Sequence, residues 1–217
     1  MLRHVIFDWN GTLLDDTWLC VEVLNRLLDA TGRPLVTVES YRAVFDFPAE
    51  RYYRTLGIDF NQHPFEQVST RFIEDYLTHF RRTELRPGTA DLLSRLRACG
   101  LGLSILSANR QDNLERVVAA YGLAAAVDGL KGTASIHATG KVAAGIEWIA
   151  HLALPPQQVV LIGDTLHDHE VAVAMGVRCI LIAGGHQSEE RLRRAGVSVV
   201  ADLAALERVL ADLQSEA

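Results

Sequence analysis

Lysine is almost absent from this 217-residue chain, which carries only Lys131 and Lys141 beside nineteen arginines. Any chemistry that requires a lysine amine is therefore restricted to these two positions. Cysteine is also scarce, and Cys20, Cys99 and Cys179 are far apart in the sequence. An odd number of widely spaced cysteines fits neither a disulfide framework nor a zinc motif, so we expect reduced thiols in a cytoplasmic protein.

Long hydrophobic runs are missing as well. No apolar segment reaches the roughly 18 residues that a membrane-spanning helix requires, and the first residues lack the features of a secretory signal. We therefore expect a cytoplasmic protein with no membrane partner. The net charge of −6 disfavours nucleic acid as a partner, because phosphate backbones bind basic surfaces. A monomer or homodimer that acts on a small molecule is the remaining expectation.

The residues that are present, 49% hydrophobic and 22% charged, form an alternation of short apolar runs and amphipathic helical segments. The run that begins at Val5 predicts the first strand. Further strands are predicted over residues 101–106, 125–130, 159–162, 178–182 and 197–200. Because strands that alternate with helices form parallel sheets with right-handed crossovers, we predict an α/β fold with a Rossmann-like, three-layer parallel-sheet core.

Residues 16–85 interrupt this alternation with helical segments alone. Asp15 or Asp16 is expected to cap the first of these helices. The region holds most of the Phe and Tyr residues, which is typical of a small domain with its own core. Because the insertion leaves the carboxyl end of the first strand, where α/β sheets bind ligands, it should cover the site as an all-helical cap. The α/β core then comprises residues 1–15 and 86–217.

Polar side chains follow the predicted strands at the edge of the sheet where ligands bind. They are Asp8, Ser107, Asp164 and Asp168, with Lys141 at the start of a nearby helix. Each has a structural explanation when it is considered alone, as a turn, capping or surface residue. Three carboxylates in one crevice repel one another unless a cation lies between them, and oxygen ligands suit Mg²⁺. A lysine amine and a serine hydroxyl supply the charge and hydrogen bond that a phosphoryl group needs, so the crevice is predicted to perform phosphoryl transfer.

Three of these positions lie in two longer motifs, DWNGT at residues 8–12 and GDTLHD at residues 163–168. With a serine after an apolar strand and a single lysine between them, the motifs resemble the haloacid dehalogenase-like hydrolase superfamily. The resemblance is to its helical-cap phosphatase branch, of the phosphoglycolate phosphatase type, and it spans nearly the whole chain. It implies a Mg²⁺-dependent phosphatase that acts on a small phosphorylated metabolite.

The resemblance also implies a role for each motif residue. Asp8 is the expected nucleophile, which forms an aspartyl-phosphate, and Ser107 and Lys141 are expected to hold the phosphoryl oxygens. The expected Mg²⁺ ligands are Asp8, the Asn10 backbone carbonyl, Asp164 and Asp168, the last directly or through water.

Further residues are expected to contact the substrate. Gly11 allows the backbone to pass close to a bound anion, and Thr12 offers a hydroxyl. Ala108 and Asn109 follow the expected phosphate-binding serine. Arg51, in the cap, is a candidate partner for a substrate anion.

Other basic residues are weaker candidates for the site. Lys131 competes with Lys141 for the phosphate-binding role, but it follows a short predicted strand too closely. His167 and His169 flank a candidate metal ligand and are interpreted as solvated or supporting residues. His186, beside two glycines, could line the rim of the crevice, but it is interpreted as an ordinary loop residue.

One position departs from the pattern of the family's phosphatases, which carry a second Asp two residues after the nucleophile as general acid and base. Here that residue is Asn10. An amide can neither protonate a leaving alkoxide nor deprotonate water, and the loss of such a group costs about 10²–10⁴-fold in rate. Metal and phosphate binding should persist, because the backbone carbonyl at this position is unchanged.

Asn10 leaves three interpretations open. The first is a phosphatase whose substrate needs little protonation, or whose turnover is slow. The second is a catalytically weakened phosphate-binding protein with a regulatory role. The third is a haloacid dehalogenase, which the Asp164 and Asp168 pair disfavours because halide chemistry needs no Mg²⁺. Phosphonate hydrolysis is excluded, since that branch needs a cap lysine and residues 16–84 contain none.

Overall fold

The computed structural model describes residues 1–134 and 140–215. The strands are β1 (His4–Phe7), β2 (Leu14–Asp15), β3 (Glu84–Leu85), β4 (Gly102–Arg110), β5 (Gly129–Thr133), β6 (Val159–Gly163), β7 (Arg178–Ile182) and β8 (Ser198–Val200). The α-helices are α1 (Thr17–Ala30), α2 (Val38–Val44), α3 (Ala49–Thr55), α4 (Phe65–His79), α5 (Thr89–Ala98), α6 (Gln111–Ala120), α7 (Val142–Leu152), α8 (Leu166–Met175), α9 (Glu189–Leu192) and α10 (Leu203–Ser215). Among the described residues, none of these helices has the length and apolar composition that crossing a membrane requires.

The main sheet is parallel, with the strand order β5-β4-β1-β6-β7-β8. β1 lies at its centre, where Phe7 is opposite Ile105 of β4 and Ile162 of β6. Every residue of β1 and β6 is buried, because apolar helix faces pack against both sides of the sheet. This architecture confirms the predicted α/β fold. It also brings the carboxyl ends of β1, β4 and β6 to the same edge of the sheet.

Two strands differ from their predicted positions. The strand expected over residues 125–130 begins only at Gly129, after an alanine-rich turn with little preference for extended backbone. Asp128 ends this turn, since its backbone N–H and its carboxylate each bind the backbone of Leu103 at 2.7 Å. The strand expected over residues 101–106 continues to Arg110, which pairs with β5 after a register shift. Residues 107–109 therefore belong to β4 and do not follow it.

The helical insertion lies between β2 and β3, which pair antiparallel with Leu14 opposite Leu85. The two segments that connect the insertion to the core, here called the chain crossings, therefore run side by side at the rim of the main sheet. Helices α1–α4 enclose a cluster of buried side chains of their own. Leu19 of α1 and Tyr76 of α4 nevertheless belong to the main core. The division into an independent cap and core therefore stays a prediction.

Candidate active site

Three buried carboxylates meet where the central strands end. Asp8 follows β1, Asp164 follows β6, and Asp168 lies in the first turn of α8. One oxygen from each lies within 4.8 Å of the others. Burial and the neighbouring carboxylates raise the pKa of Asp8 to about 8, although Lys141 opposes this shift. Such a set of hard oxygen ligands, in mutual repulsion, fits a divalent cation such as Mg²⁺.

Lys141 is the cation that the structure already places among these carboxylates. Its Nζ contacts the Asp8 carboxylate, lies 2.7 Å from Asp168 Oδ1 and donates to the Leu106 carbonyl at 2.9 Å. Burial alone would lower the pKa of Lys141, but the two carboxylates outweigh it and raise that pKa. The backbone N–H of Lys141 donates to His167 Nε2 at 3.0 Å. His167 therefore holds the lysine backbone in place, which agrees with its interpretation as a supporting residue.

Asp168 serves both the helix and the site. Its Oδ2 accepts the Thr165 N–H at 3.0 Å while the Asp168 N–H donates to the Thr165 hydroxyl at 3.4 Å, and these two bonds form the capping box of α8. The Thr165 hydroxyl also donates to Asp168 Oδ2 at 2.6 Å. Its Oδ1 faces Lys141. Burial raises the pKa of Asp168, but the lysine charge outweighs it and leaves that pKa below the usual value. Since both oxygens already have partners, Asp168 is placed to position Lys141.

Gly11 and Thr12 support the carboxylates and do not line the cavity described below. The Thr12 hydroxyl donates to Asp164 Oδ1 at 2.9 Å. Gly11 has a φ of +72°, and a Cβ atom there would lie 2.3 Å from Asp164 Oδ2. Only glycine allows this close approach. Direct contact of these two residues with a substrate stays a prediction.

The carboxyl end of β4 supplies the opposite wall of the site. Ser107, Ala108 and Asn109 all line the cavity next to Asp8. The Ser107 hydroxyl accepts the Asn109 N–H at 3.2 Å, which leaves its own proton available to a ligand. Arg51 does not join them, because its side chain is exposed on α3 and does not line the cavity. The structure therefore brings together every catalytic and metal candidate but not the predicted cap arginine.

The cavity between sheet and cap has a volume of about 140 Å³. Its floor contains Asp8, Ser107, Lys141, Asp164 and Asp168. Its roof is mainly aromatic and comes from the cap, with Tyr41, Phe45, Phe47, Tyr52, Tyr53, Phe72 and Tyr76. In the cap, which the structure describes in full, no residue that lines the cavity carries a formal charge. A polar floor thus faces an apolar roof.

The motif pattern and this geometry agree with a family comparison. The sequence model of haloacid dehalogenase-like hydrolases matches residues 5–182. This chain belongs to the haloacid dehalogenase-like hydrolase family. Its membership confirms the predicted resemblance.

Relatives of this haloacid dehalogenase-like protein include a phosphatase and a kinase. The phosphoglycolate phosphatase of Synechococcus elongatus is 27% identical over 192 residues, which are 88% of each chain. The tyrosine-protein kinase PtkA of Mycobacterium tuberculosis is 23% identical over 207 residues, which are 94% of this chain and 70% of PtkA. The solved structure of a haloacid dehalogenase-like hydrolase from Streptococcus pneumoniae has a TM-score of 0.83 at 21% identity, covering 98% of this chain and 99% of that one. This last similarity confirms the fold.

Asn10 of this family member is tightly bound in a hydrogen-bond network. Its Nδ2 donates to Asp16 Oδ2 at 2.6 Å and to the Tyr76 hydroxyl oxygen at 2.9 Å. Its Oδ1 accepts from Asn109 Nδ2 at 2.8 Å. An aspartate at this position would place a second carboxylate against Asp16. The amide is therefore the side chain that the surroundings require.

Asp16 was expected as a possible helix cap, and it occupies the N-cap position of α1, but its carboxylate has other partners. Asp16 precedes α1 but its side chain makes no capping hydrogen bond. Its Oδ1 accepts the Gly11 N–H at 2.9 Å and its Oδ2 accepts the Tyr76 hydroxyl at 2.7 Å. Burial raises its pKa, but His186 and the hydrogen-bond donors outweigh burial and hold that pKa below its usual value. Asp16 is therefore a buried carboxylate anion.

His186 was interpreted as an ordinary loop residue in preference to a residue at the rim of the crevice, and this preference is wrong. It is buried, lines the cavity and lies with Nε2 3.4 Å from Asp16 Oδ1. Its Nδ1 is 2.9 Å from the Tyr41 hydroxyl of the cap. Burial lowers the pKa of His186, but Asp16 outweighs burial and raises it to about 9. The two glycines before it were the only local signal, because its partners come from distant parts of the chain.

The cap is closed on the loop that carries His186. Arg42 Nε donates to the Gly185 carbonyl at 2.8 Å. In the other direction, Gln187 Nε2 donates to the Phe45 carbonyl at 2.9 Å. The segment after α2 is thus fastened to the core beside the site, and the aromatic roof lies over Asp8.

Proposed function

We propose that this protein is a Mg²⁺-dependent phosphatase that acts on a small phosphorylated metabolite through an aspartyl-phosphate on Asp8. The observation that carries the proposal is the position of Asp8, buried at the floor of the cavity between sheet and cap, beside Lys141 and Ser107. The membership of a hydrolase family with phosphatase relatives supports it.

In the proposed reaction, an Asp8 oxygen attacks phosphorus and the bond from phosphorus to the leaving oxygen breaks. Ser107 donates a hydrogen bond to the phosphoryl group, and Lys141 opposes its negative charge. Lys141 can release Asp8 for attack, because Asp168 and the Leu106 carbonyl still hold its ammonium group. Water then attacks phosphorus, the bond from phosphorus to the Asp8 oxygen breaks, and the proton of that water passes to solvent as the Asp8 carboxylate and free phosphate form.

The donor set of Asp8, Asp164 and the Asn10 backbone carbonyl fits Mg²⁺, with Asp168 nearby for indirect ligation. When bound, this cation neutralises charge on the carboxylates and on the phosphoryl group. The fit rests on the three buried carboxylates of Asp8, Asp164 and Asp168, each with one oxygen within 4.8 Å of the others. Thr12 and the backbone N–H of His186 orient Asp164 toward this position.

The test is a screen of phosphorylated metabolites with Mg²⁺, in which released phosphate and the mass of the intact protein are both measured. The wild type should release phosphate from at least one substrate and gain one phosphoryl group. Asp8→Asn should do neither, because an amide is a poor nucleophile. Asp29→Asn, on the exposed side of α1, is the matched control and should behave as the wild type. Full turnover by Asp8→Asn would overturn the assignment of the nucleophile.

A phosphate-binding protein without turnover is the second candidate, and the Asn10 network favours it. Phosphate would then bind at the same floor with no chemical step. The same screen separates the two, because phosphate or vanadate would bind while no substrate is hydrolysed and no phosphoryl group appears on Asp8.

A further inference from the structure

We propose that the substrate is an aryl phosphate, with a single aromatic ring as its leaving group. The inference rests on the proposed phosphatase function and names the class of substrate for that site. Its geometrical basis is the contrast between the polar floor and the aromatic roof of one cavity.

The roof is chemically suited to a flat apolar group. Seven of its residues are aromatic, and the Tyr41 ring lies edge-on to Tyr52 and is stacked with Phe45 at 4.8 Å. Rings that line a cavity contribute large apolar contact areas and favour offset or edge contacts with another ring. The roof therefore favours an aromatic leaving group.

The roof is unsuited to a leaving group that carries its own charge. A carboxylate placed there would lose its hydration without gaining a cation, which is strongly unfavourable. Lys141 and His186 are the buried cations that line the cavity, and both already face carboxylates. Arg110, at the mouth, is largely exposed and paired with Asp112. Among residues 1–134 and 140–215, a short phosphorylated acid therefore finds no unpaired buried cation for its second anion.

The size of the cavity limits the ring. A protein cavity of about 150 Å³ is known to hold benzene. The present cavity has a total volume of about 140 Å³, which the phosphoryl group at the floor and the ring below the roof must share. Two fused rings would require the cap to move outward.

The side chain at position 10 points to the same class of substrate. An alkoxide leaves poorly unless it is protonated, since its conjugate acid is about as weak an acid as water. A phenoxide leaves without protonation, because the pKa of a phenol is about 10. Asn10 has no proton to give, and its amide is committed to Asp16 and Tyr76.

The reaction is balanced without a general acid. The Asp8 oxygen bonds to phosphorus as the bond between phosphorus and the aryl oxygen breaks, and the electron pair leaves with the phenoxide. The phenoxide takes a proton from solvent. Water then attacks phosphorus, the bond to Asp8 breaks, and the proton of that water passes to solvent with the released phosphate.

Four substrates distinguish the effect of an aromatic ring from the effect of a leaving group that needs no proton. Phenyl phosphate has a ring and needs no proton, and benzyl phosphate has a ring but leaves as an alkoxide. Acetyl phosphate has no ring and needs no proton, whereas 2-phosphoglycolate has neither advantage. With Mg²⁺, we expect kcat/KM for phenyl phosphate to exceed that for 2-phosphoglycolate by about 10²-fold or more. Benzyl phosphate should have a KM close to that of phenyl phosphate but a much lower kcat.

A charge introduced into the roof tests the cavity directly. Ile73 lines the roof and is half-buried, so Ile73→Arg places a cation where a substrate carboxylate would lie. This variant should lower kcat/KM for phenyl phosphate and raise it for 2-phosphoglycolate, with acetyl phosphate nearly unchanged. The control is Ile146→Arg on α7, where the side chain is already exposed, and it should match the wild type.

The outcomes distinguish this inference from the proposed function. If acetyl phosphate phosphorylates Asp8 but phenyl phosphate is no better than 2-phosphoglycolate, the inference fails and the phosphatase remains. If none of the substrates phosphorylates Asp8 or releases phosphate, both fail. If Ile73→Arg folds, as judged by its circular dichroism, and leaves all ratios unchanged, the roof does not select the substrate.

Discussion

Two buried charge clusters lie next to each other in this site, and they differ in charge balance. The catalytic cluster consists of Asp8, Asp164, Asp168 and Lys141. The hinge cluster consists of Asn10, Asp16, Tyr76 and His186, where the cap leaves the core. The first has three carboxylates for one ammonium group, and the second pairs one carboxylate with one imidazolium.

This difference shows what each cluster can do. A net negative, partly unsatisfied cluster is suited to a divalent cation and a reacting phosphoryl group. A balanced cluster in which each oxygen has hydrogen-bond donors is suited to holding the cap and the amide of Asn10 in position. The missing acid at Asn10 is therefore linked to the presence of Asp16, because two carboxylates at 2.6 Å would repel each other.

The largest expected effect on kcat comes from moving the carboxylate of the hinge cluster from position 16 to position 10. Asn10→Asp combined with Asp16→Ser should raise kcat on alkyl phosphates by up to about 10²–10⁴-fold, since a carboxylic acid is supplied without a facing carboxylate. Asn10→Asp alone should raise it much less. Steady-state kinetics on benzyl and phenyl phosphate are the measurement, with phenyl phosphate expected to change little. Equal changes on both substrates would show that Asn10 is not the position of a missing acid.

The next effect is the pH dependence of the free energy of unfolding that the His186 ion pair causes. His186 has a pKa of about 9 in the folded protein and about 6.5 when unfolded, so its ion pair contributes up to about 3 kcal/mol to the free energy of unfolding. Because the folded pKa is the higher one, this contribution is complete below pH 6.5 and is lost as pH rises through 9. Urea unfolding from pH 6 to 10 should show the loss.

The control for this measurement is His186→Gln, which cannot titrate at this position. The raised pKa of Asp8 affects both proteins, so the difference between them isolates the histidine. Parallel pH profiles for wild type and variant would contradict the buried ion pair.

Substitutions in the two clusters should differ in their effect on Mg²⁺ affinity. Asp164→Ala should weaken Mg²⁺ binding by about 10²-fold or more, a loss at the upper end of that seen for supporting residues of metal sites. Asp168→Ala should cause a smaller loss, because that side chain mainly positions Lys141. Calorimetric titration of Mg²⁺ into the substrate-free protein is the measurement. His186→Gln is the comparison from the hinge cluster. An equal loss of Mg²⁺ affinity in this variant would show that the two clusters act as one metal site.

The smallest effect is expected at the two chain crossings near Asp15 and Leu85. If the cap moves on the β2–β3 pair, hydrogen exchange of these backbone amides should slow when Mg²⁺ and vanadate bind. Amides in the central strand β1 are the internal reference. Unchanged exchange at the crossings, with vanadate bound, would contradict a mobile cap.

Local patterns in the sequence were sufficient for most of the core. The apolar runs of β1 and β6 are buried in the centre of a parallel sheet, and such runs have few alternatives. Once the strands are parallel, Asp8 and Asp164 must meet at one edge, so the catalytic cluster followed from topology. The strand predicted over residues 125–130 was displaced because Asp128 binds Leu103, a contact that no local pattern contains.

The tertiary structure alone decided how the second cluster forms and what the cavity accepts. Asp16 looks like a helix cap in the sequence, and only the approach of Tyr76 and His186 from distant segments makes it a buried anion. Arg51 looks like an anion site, and only the orientation of α3 leaves it outside the cavity. Pairwise contacts between distant segments depend on how the cap packs on the sheet. The sequence by itself determined the central strands β1 and β6 and the carboxylates that follow them, because hydrophobic periodicity and chain topology are local or nearly local properties.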